Sequence, residues 1–358
     1  MKKILTIIGA RPQFIKASVV SRAIQHAEAL AEVLVHTGQH FDSNMSDIFF
    51  NQLGIPRPDY QLDINGGSHG DMTGRMLIEI EKILLKEKPD CVLVYGDTNS
   101  TLAGALAAAK LHIPVVHIEA GLRSFNMQMP EEINRVLTDQ ISSILFCPTQ
   151  AAMDNLYNEG FANKPVQVLN TGDVMQDSAL FFAERATRPN GVGREQGFVL
   201  ATLHRAENTD NAERLASIVA ALNQLHAEVA PVVLPLHPRT RGLLDKHGLT
   251  LEVELIEPVG YLEMIWLLQR ASLILTDSGG VQKEAYFFCR PCVTMRDQTE
   301  WVELVEQGAN ELVGADSDRI VAAVKRNIGR EIADEQQLYG GGKAARNIVD
   351  VIVRLMHE

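Results

Sequence analysis

Ile4-Leu5-Thr6-Ile7-Ile8-Gly9-Ala10-Arg11-Pro12-Gln13-Phe14-Ile15-Lys16 carries a short apolar run into a glycine and on into a helix-forming stretch. The run is too short for the core of a signal peptide and stops at Gly-Ala-Arg-Pro, so it reads as a buried strand. A dinucleotide-binding fingerprint would sit at this turn between strand and helix. Its glycine spacing is absent, and Arg11-Pro12 would crowd a pyrophosphate, which argues against a nicotinamide cofactor. An arginine beside a helix N-terminus is instead a partner for a phosphate.

Outward from this unit the same rhythm continues. Strands are expected at Val33–His36, Cys91–Val94, Val115–Ile118 and Leu145–Cys147, with helices at Gln13–Ala27, Ser43–Leu53, Asp71–Lys86, Ser100–Lys110 and Pro130–Ile141. Further strands follow at Val166–Asn170, Gly197–Thr202, Val232–Leu236, Glu252–Ile256, Leu273–Thr276 and Cys292–Thr294. Apolar strands without alternation, spaced by helices, indicate parallel sheets covered on both faces. The fold class is therefore α/β, with two Rossmann-like doubly wound domains. We expect the first over residues 1–172 and the second over 173–358, with the last helix packing back on the first domain. Ligands of such folds bind at strand C-termini, here in a cleft between the domains.

The length of 358 residues suits two domains, and 46% hydrophobic with 22% charged residues is ordinary for a globular protein. A net charge of −12 argues against nucleic acid or an acidic membrane surface as partner. No apolar stretch reaches the length of a membrane span, so a cytoplasmic location is the default. The four cysteines fit a reducing compartment. Cys289-x-x-Cys292 has no second ligand pair at zinc spacing and leads straight into a strand, so it reads as structural; no metal is expected.

Polar residues cluster just past the strands. Asp97 follows one strand, Glu119 the next, and Pro130-Glu131-Glu132 opens a helix, so three acids (Asp97, Glu119, Glu131) are expected to converge on one cleft. Glu132 is read as no more than a complement to its helix dipole. His204 in Thr202-Leu203-His204-Arg205-Ala206-Glu207 sits past a strand between basic and acidic neighbours. In Asp277-Ser278-Gly279-Gly280-Val281-Gln282-Lys283-Glu284 a strand ends, small residues permit close approach, and a helix begins with its N–H groups free. That is an anion cradle, with Glu284 one turn on as an acceptor for ribose hydroxyls. Trp266 and Trp301 read as packing residues.

At this point the chain resembles the non-hydrolysing UDP-N-acetylglucosamine 2-epimerase family. The resemblance spans Gly-x-Arg-Pro at 9–12, Lys16, Gln39-His40, Gly96-Asp97-Thr98, His117-x-Glu119-Ala-Gly-Leu-Arg123, Pro130-Glu131-Glu132-x-Asn134-Arg135, His204-Arg205-x-Glu207-Asn208, Asp277-Ser-Gly-Gly-x-Gln-x-Glu284 and Met295-Arg296-Asp297. Within the family it is similar to the branch acting on UDP-2,3-diacetamido-2,3-dideoxyglucuronate for O-antigen lipopolysaccharide. Three departures from typical members are Thr299-Glu300-Trp301-Val302-Glu303, Tyr339-Gly340-Gly341-Gly342 and Asn65-Gly66-Gly67-Ser68-His69. The last replaces a segment with which bacterial members bind a second, activating substrate molecule.

The resemblance implies a GT-B-like fold, a homodimer, and no cofactor beyond the UDP-sugar itself. It implies Asp97, Glu119 and Glu131 as the acid/base set and His204 at the departing diphosphate. UDP contacts would come from Arg11, His40, Arg205, Ser278, Gly279, Gly280, Glu284 and Arg296. Lys16 and Arg135 either touch substrate or hold a carboxylate. A C2 hydrogen with no adjacent carbonyl is not acidic enough to remove directly, so the implied route is elimination of UDP and re-addition. Rival readings are a UDP-N-acetylglucosamine 2-epimerase, a GT-B glycosyltransferase, a hydrolysing epimerase and a catalytically silent nucleotide-sugar sensor.

Overall fold

The computed structural model describes residues 1–39, 54 and 56–357, excepting the side chains of Arg11 and His357. The expected helix Ser43–Leu53 and the candidate His40 lie outside the described residues. The chain divides into two units, one of Met1–Ser178 with Gln337–Glu358 and one of Ala179–Gln336. The division falls inside the helix Val174–Ala183.

The strands of the first unit are β1 (Lys2–Ile8), β2 (Leu30–His36), β3 (Tyr60–Gln61), β4 (Cys91–Tyr95), β5 (Val115–Ile118), β6 (Ile144–Cys147) and β7 (Gln167–Asn170). They pair in the order β3-β2-β1-β4-β5-β6-β7, all parallel. The second unit contributes β8 (Phe198–Thr202), β9 (Val232–Pro235), β10 (Glu254–Ile256), β11 (Ala271–Thr276), β12 (Cys292–Thr294) and β13 (Asn310–Leu312). Their order, β10-β9-β8-β11-β12-β13, repeats the first six places of the other sheet, again all parallel. Each sheet is doubly wound, and each reverses winding direction once: between β1 and β4, and between β8 and β11. The short strands β3 and β13 are additions to the sequence-based set; two or three residues are too few to carry a hydrophobic period.

Burial on both faces explains the uninterrupted apolar strands. In the first unit Leu5, Ile7, Val92 and Val94 face Met76, Ile80, Ile83 and Leu84 of the helix His69–Glu87 and the alanines of Asn99–Lys110. That alanine-rich helix lies close against the sheet: a Cβ on Gly104 would stand 2.5 Å from Ile7 Cδ1. Thr98 starts it, accepting from Thr101 N at 3.2 Å while Thr101 Oγ1 accepts from Thr98 N at 3.2 Å. In the second unit Val199, Ala201, Leu273 and Leu275 pack on Leu215, Ile218, Leu222 and Leu225 of the helix Ala212–Glu228 and on Ile320 and Val324. Phe198, Leu200 and Ile274 on the opposite face meet Trp266, Leu267 and Leu268.

The last helix, Ala344–His357, belongs to the first unit. Asp177 receives its first amides, Ala344 N at 3.0 Å and Ala345 N at 2.8 Å. Burial raises the Asp177 carboxyl, and these two backbone donors pull it back down.

His36 ends β2 fully buried, with the Phe14 ring edge-on at 4.9 Å. Neither of its ring nitrogens has a hydrogen-bond partner among the described residues. Burial lowers its pKa from 6.5 to about 4, with Asp63 pulling the other way. A histidine kept neutral in the fold takes up a proton on unfolding, so it lowers stability progressively as pH falls from 6.5 to about 4. Denaturant titrations at pH 7 and pH 4.5 should show wild type losing about 2 kcal/mol more than His36→Leu over that interval.

Candidate functional site

In the first unit the switch point between β1 and β4 opens into a cavity of about 230 Å³. Its wall includes Ala10, Gln13, Lys16, Gly96, Asp97 and Glu131. Gly9 is required by close approach, since a Cβ there would meet Thr37 Oγ1 at 2.1 Å and Ser100 Oγ at 2.3 Å. The next turn of chain supplies Gln13, buried to 2% exposure. Its Oε1 accepts from Gly9 N at 2.8 Å and Ala10 N at 3.0 Å, and its Nε2 donates to the Tyr95 carbonyl at 2.8 Å. One amide thus joins the ends of the two strands that flank the switch point.

The acids come next. Asp97 is ion-paired with Arg135, whose Nη1 also reaches Glu132 Oε2 at 3.0 Å. Glu119 is ion-paired with Lys16, so Lys16 and Arg135 each hold a carboxylate in place. Glu119 itself has φ +70°, a left-handed backbone that a side chain adopts at a cost of order 1 kcal/mol. Glu119 N and Ala120 N donate to the Phe146 carbonyl at 3.1 and 3.0 Å and hold that turn. Glu131 is exposed at the start of Pro130–Ile141 and lines the cavity.

Glu132 corrects the sequence reading. It is buried to 1% and accepts from Ser124 N at 3.0 Å, Ser124 Oγ at 2.9 Å and Phe125 N at 2.9 Å. It anchors the preceding loop as well as sitting at a helix N-terminus. A charge pattern in sequence does not distinguish these two roles, because the loop amides are brought in by the fold.

A buried relay lies behind these acids. His117 bridges Asp139 Oδ1 and the Gly96 carbonyl, both at 2.7 Å. Asp139 Oδ2 meets Arg123 Nη1 at 2.8 Å, and Arg123 Nε reaches Glu159 Oε1 at 2.6 Å. Burial opposes the Arg123 charge, but Glu159 and Asp139 together raise its pKa. Sequence reasoning gave Gln13, His117 and Asp139 no role; their spacing from the acids along the chain carries no signal.

The second unit repeats the logic with a carboxylate. Asp277, fully buried after β11, accepts from His204 N at 3.0 Å and Arg205 N at 2.9 Å. His204 Nδ1 lies 3.2 Å from Asp277 Oδ1, and its ring is half-exposed. Burial works against the Asp277 charge, yet the donors from His204 and Arg205 hold the carboxyl below its ordinary range. Asn208 Nδ2 ties the same turn to the Met295 carbonyl at 2.9 Å.

The helix Gly279–Phe287 starts beside this turn, after Ser278. A Cβ on Gly279 would stand 2.3 Å from Glu300 Oε1 and 3.5 Å from Arg205 Nη2, while Gly280 faces open space. Glu300 is paired with Arg296 Nη1 at 2.9 Å. Trp301 does more than pack, since its Nε1 donates to the Gly279 carbonyl at 2.9 Å and Lys283 Nζ lies 4.1 Å from its ring centroid. Glu284 is buried within the same helix. Among the cysteines, Cys289 is exposed and Cys292 is buried, its thiol pushed up to about 12 by burial. The Arg11 side chain and His40 lie outside the described residues.

Two acid-bearing strand ends thus lie at the switch point of the first unit, and a glycine-led helix starts at that of the second. A family model described as UDP-N-acetylglucosamine 2-epimerase matches residues 22–353, and the chain belongs to that family. Among its relatives, the UDP-2,3-diacetamido-2,3-dideoxy-D-glucuronate 2-epimerase of Pseudomonas aeruginosa is 70% identical over 353 residues, covering 99% of this chain and 100% of the relative. The UDP-N-acetylglucosamine 2-epimerase of Methanocaldococcus jannaschii is 46% identical, covering 98% of both chains. A crystal structure of that archaeal enzyme with UDP-GlcNAc and UDP has a TM-score of 0.84 at 44% identity, covering 99% of this chain and 100% of the other. The Neisseria meningitidis enzyme bound to UDP-GlcNAc gives 0.86 at 32% identity, covering 98% of this chain and 100% of the other. The chain is a UDP-sugar epimerase of GT-B-like fold. No helix among the described residues is long and apolar enough to cross a membrane.

Replacing Asp277 with Ala strands the His204 and Arg205 amides. Urea unfolding should show a loss of about 3 kcal/mol, with Asp277→Asn losing less because one acceptor oxygen remains.

Proposed function

We propose that this enzyme interconverts UDP-2,3-diacetamido-2,3-dideoxy-D-glucuronate and its manno-configured C2 epimer. The 70% identity to the Pseudomonas aeruginosa enzyme over the whole chain supports the sugar. The observation that carries the chemistry is the pairing of Asp97 with Arg135 and Glu119 with Lys16 beside the cavity that Glu131 also lines.

The reaction proceeds by elimination. A carboxylate takes the proton from C2, the C1–O bond breaks, a C1=C2 double bond forms, and the electron pair leaves on UDP. A proton then returns to the opposite face of C2 and the UDP oxygen re-adds at C1. Two acid/base groups are needed, and Asp97, Glu119 and Glu131 supply them. UDP must be kept between the two halves of the cycle. His204, held by Asp277, meets the diphosphate, and the amides at Ser278, Gly279 and Gly280 cradle it with Arg11, Arg205 and Arg296. Glu284 accepts from the ribose, and His40 completes the UDP contacts.

The enzyme works in the cytoplasm, in the assembly of a surface polysaccharide of the O-antigen type, as a homodimer. Support for the dimer comes from exposed apolar side chains on the first unit: Phe125 and Met127 in one loop, and Ile133 and Leu137 one turn apart on the helix that follows. Light scattering should find wild type dimeric and Ile133→Asp/Leu137→Asp shifted to monomer.

The activity is tested in D2O with no added cofactor, following C2 by proton NMR. Deuterium at C2 with a manno-configured product is expected from the diacetamidoglucuronate, faster than from UDP-N-acetylglucosamine. Asp97→Asn should reduce turnover at least about a thousandfold while UDP still binds. Absence of C2 exchange from either sugar would reject elimination.

A further inference from the structure

His69 opens the helix His69–Glu87, and its exposed imidazole forms part of the cavity wall in the first unit. A chain of amides sets its proton. Asn134 Nδ2 donates to the Asp97 carbonyl at 2.9 Å, and a carbonyl only accepts, so that nitrogen is identified. The same nitrogen donates to Asn99 Oδ1 at 3.2 Å. Asn99 therefore turns its Nδ2 toward His69 Nδ1, at 3.3 Å, and toward Met72 Sδ, at 3.8 Å. Nδ1 accepts, and the ring carries its proton on Nε2.

Several other polar groups around the cavity already have partners among the described residues. Gln13 donates to the Tyr95 carbonyl, Thr98 and Thr101, and Lys16 is paired with Glu119. Gln39 Oε1 accepts from Ser100 N and Oγ, at 3.1 and 2.7 Å. Glu131, exposed on the cavity wall, brings negative charge, while Asp97 is paired with Arg135. A carboxylate on a bound sugar is repelled from Glu131 and drawn to the His69 end, where a 19-residue helix presents its positive terminus. The one acid in that helix's first turn, Asp71, is neutralised by Arg75 at 2.7 Å.

We propose that His69 is a specificity-determining residue, its Nε2–H donating to the C6 carboxylate of the sugar. The inference rests on the uronate reading of the substrate. It is tested with the full-length enzyme, UDP-2,3-diacetamido-2,3-dideoxyglucuronate, and the counterpart carrying a hydroxymethyl group at C6. His69→Phe should raise KM for the uronate about tenfold and for the hydroxymethyl sugar less than about twofold, with kcat for the uronate within about threefold. His69→Gln, which keeps a donor, should recover most of the uronate preference. Equal changes for both sugars, or none for either, would overturn the role of His69. A wild-type enzyme that prefers the hydroxymethyl sugar would instead reject the uronate reading, and the proposal with it.

Discussion

The site of the first unit depends on the buried amide of Gln13. Where two parallel strands part at a switch point, their last backbone groups lose the neighbour that would have paired with them. Gln13 answers both sides at once, accepting from Gly9 and Ala10 and donating to the Tyr95 carbonyl. An unsatisfied buried amide costs about 1–3 kcal/mol, so this side chain holds open a gap that would otherwise be closed or lost. Asp277 plays the same part in the second unit, with a charge in place of an amide.

A cavity lined by acids needs compensation. Lys16 and Arg135 supply it within the first unit, each set against one carboxylate. Glu132 shares Arg135 and fixes the loop before it, so the cation is positioned from two sides. The arrangement orients the two carboxylates beside the cavity. His117 and Asp139 steady the Gly96 turn from behind, and Asp97 follows directly from it.

Much of this was legible in the chain. Val115–Ile118, Pro130–Ile141 and Cys292–Thr294 coincide with their sequence-based bounds, because uninterrupted apolar runs and a helix-starting proline are local signals. Asp97, Glu119 and His204 were found by one rule, an ionisable residue just past a strand. The same rule passes over Gln13 and His69, which lie on helices, and Asp139, which lies late on another. It also misjudged Glu132, whose partners Ser124 and Phe125 arrive from a loop with no pattern of its own.

By itself the sequence determined the α/β class, the two-domain rhythm and the set of ionisable residues at strand ends, since each follows from periodicity and neighbours a few positions apart. Only the tertiary structure decided which charge meets which. Lys16 and Glu119 are 103 positions apart, and Arg135 and Asp97 are 38 apart. No local rule pairs such residues. Strand order does, because β1 pairs with β4 on one side as it pairs with its successor β2 on the other, and this brings distant segments to one switch point.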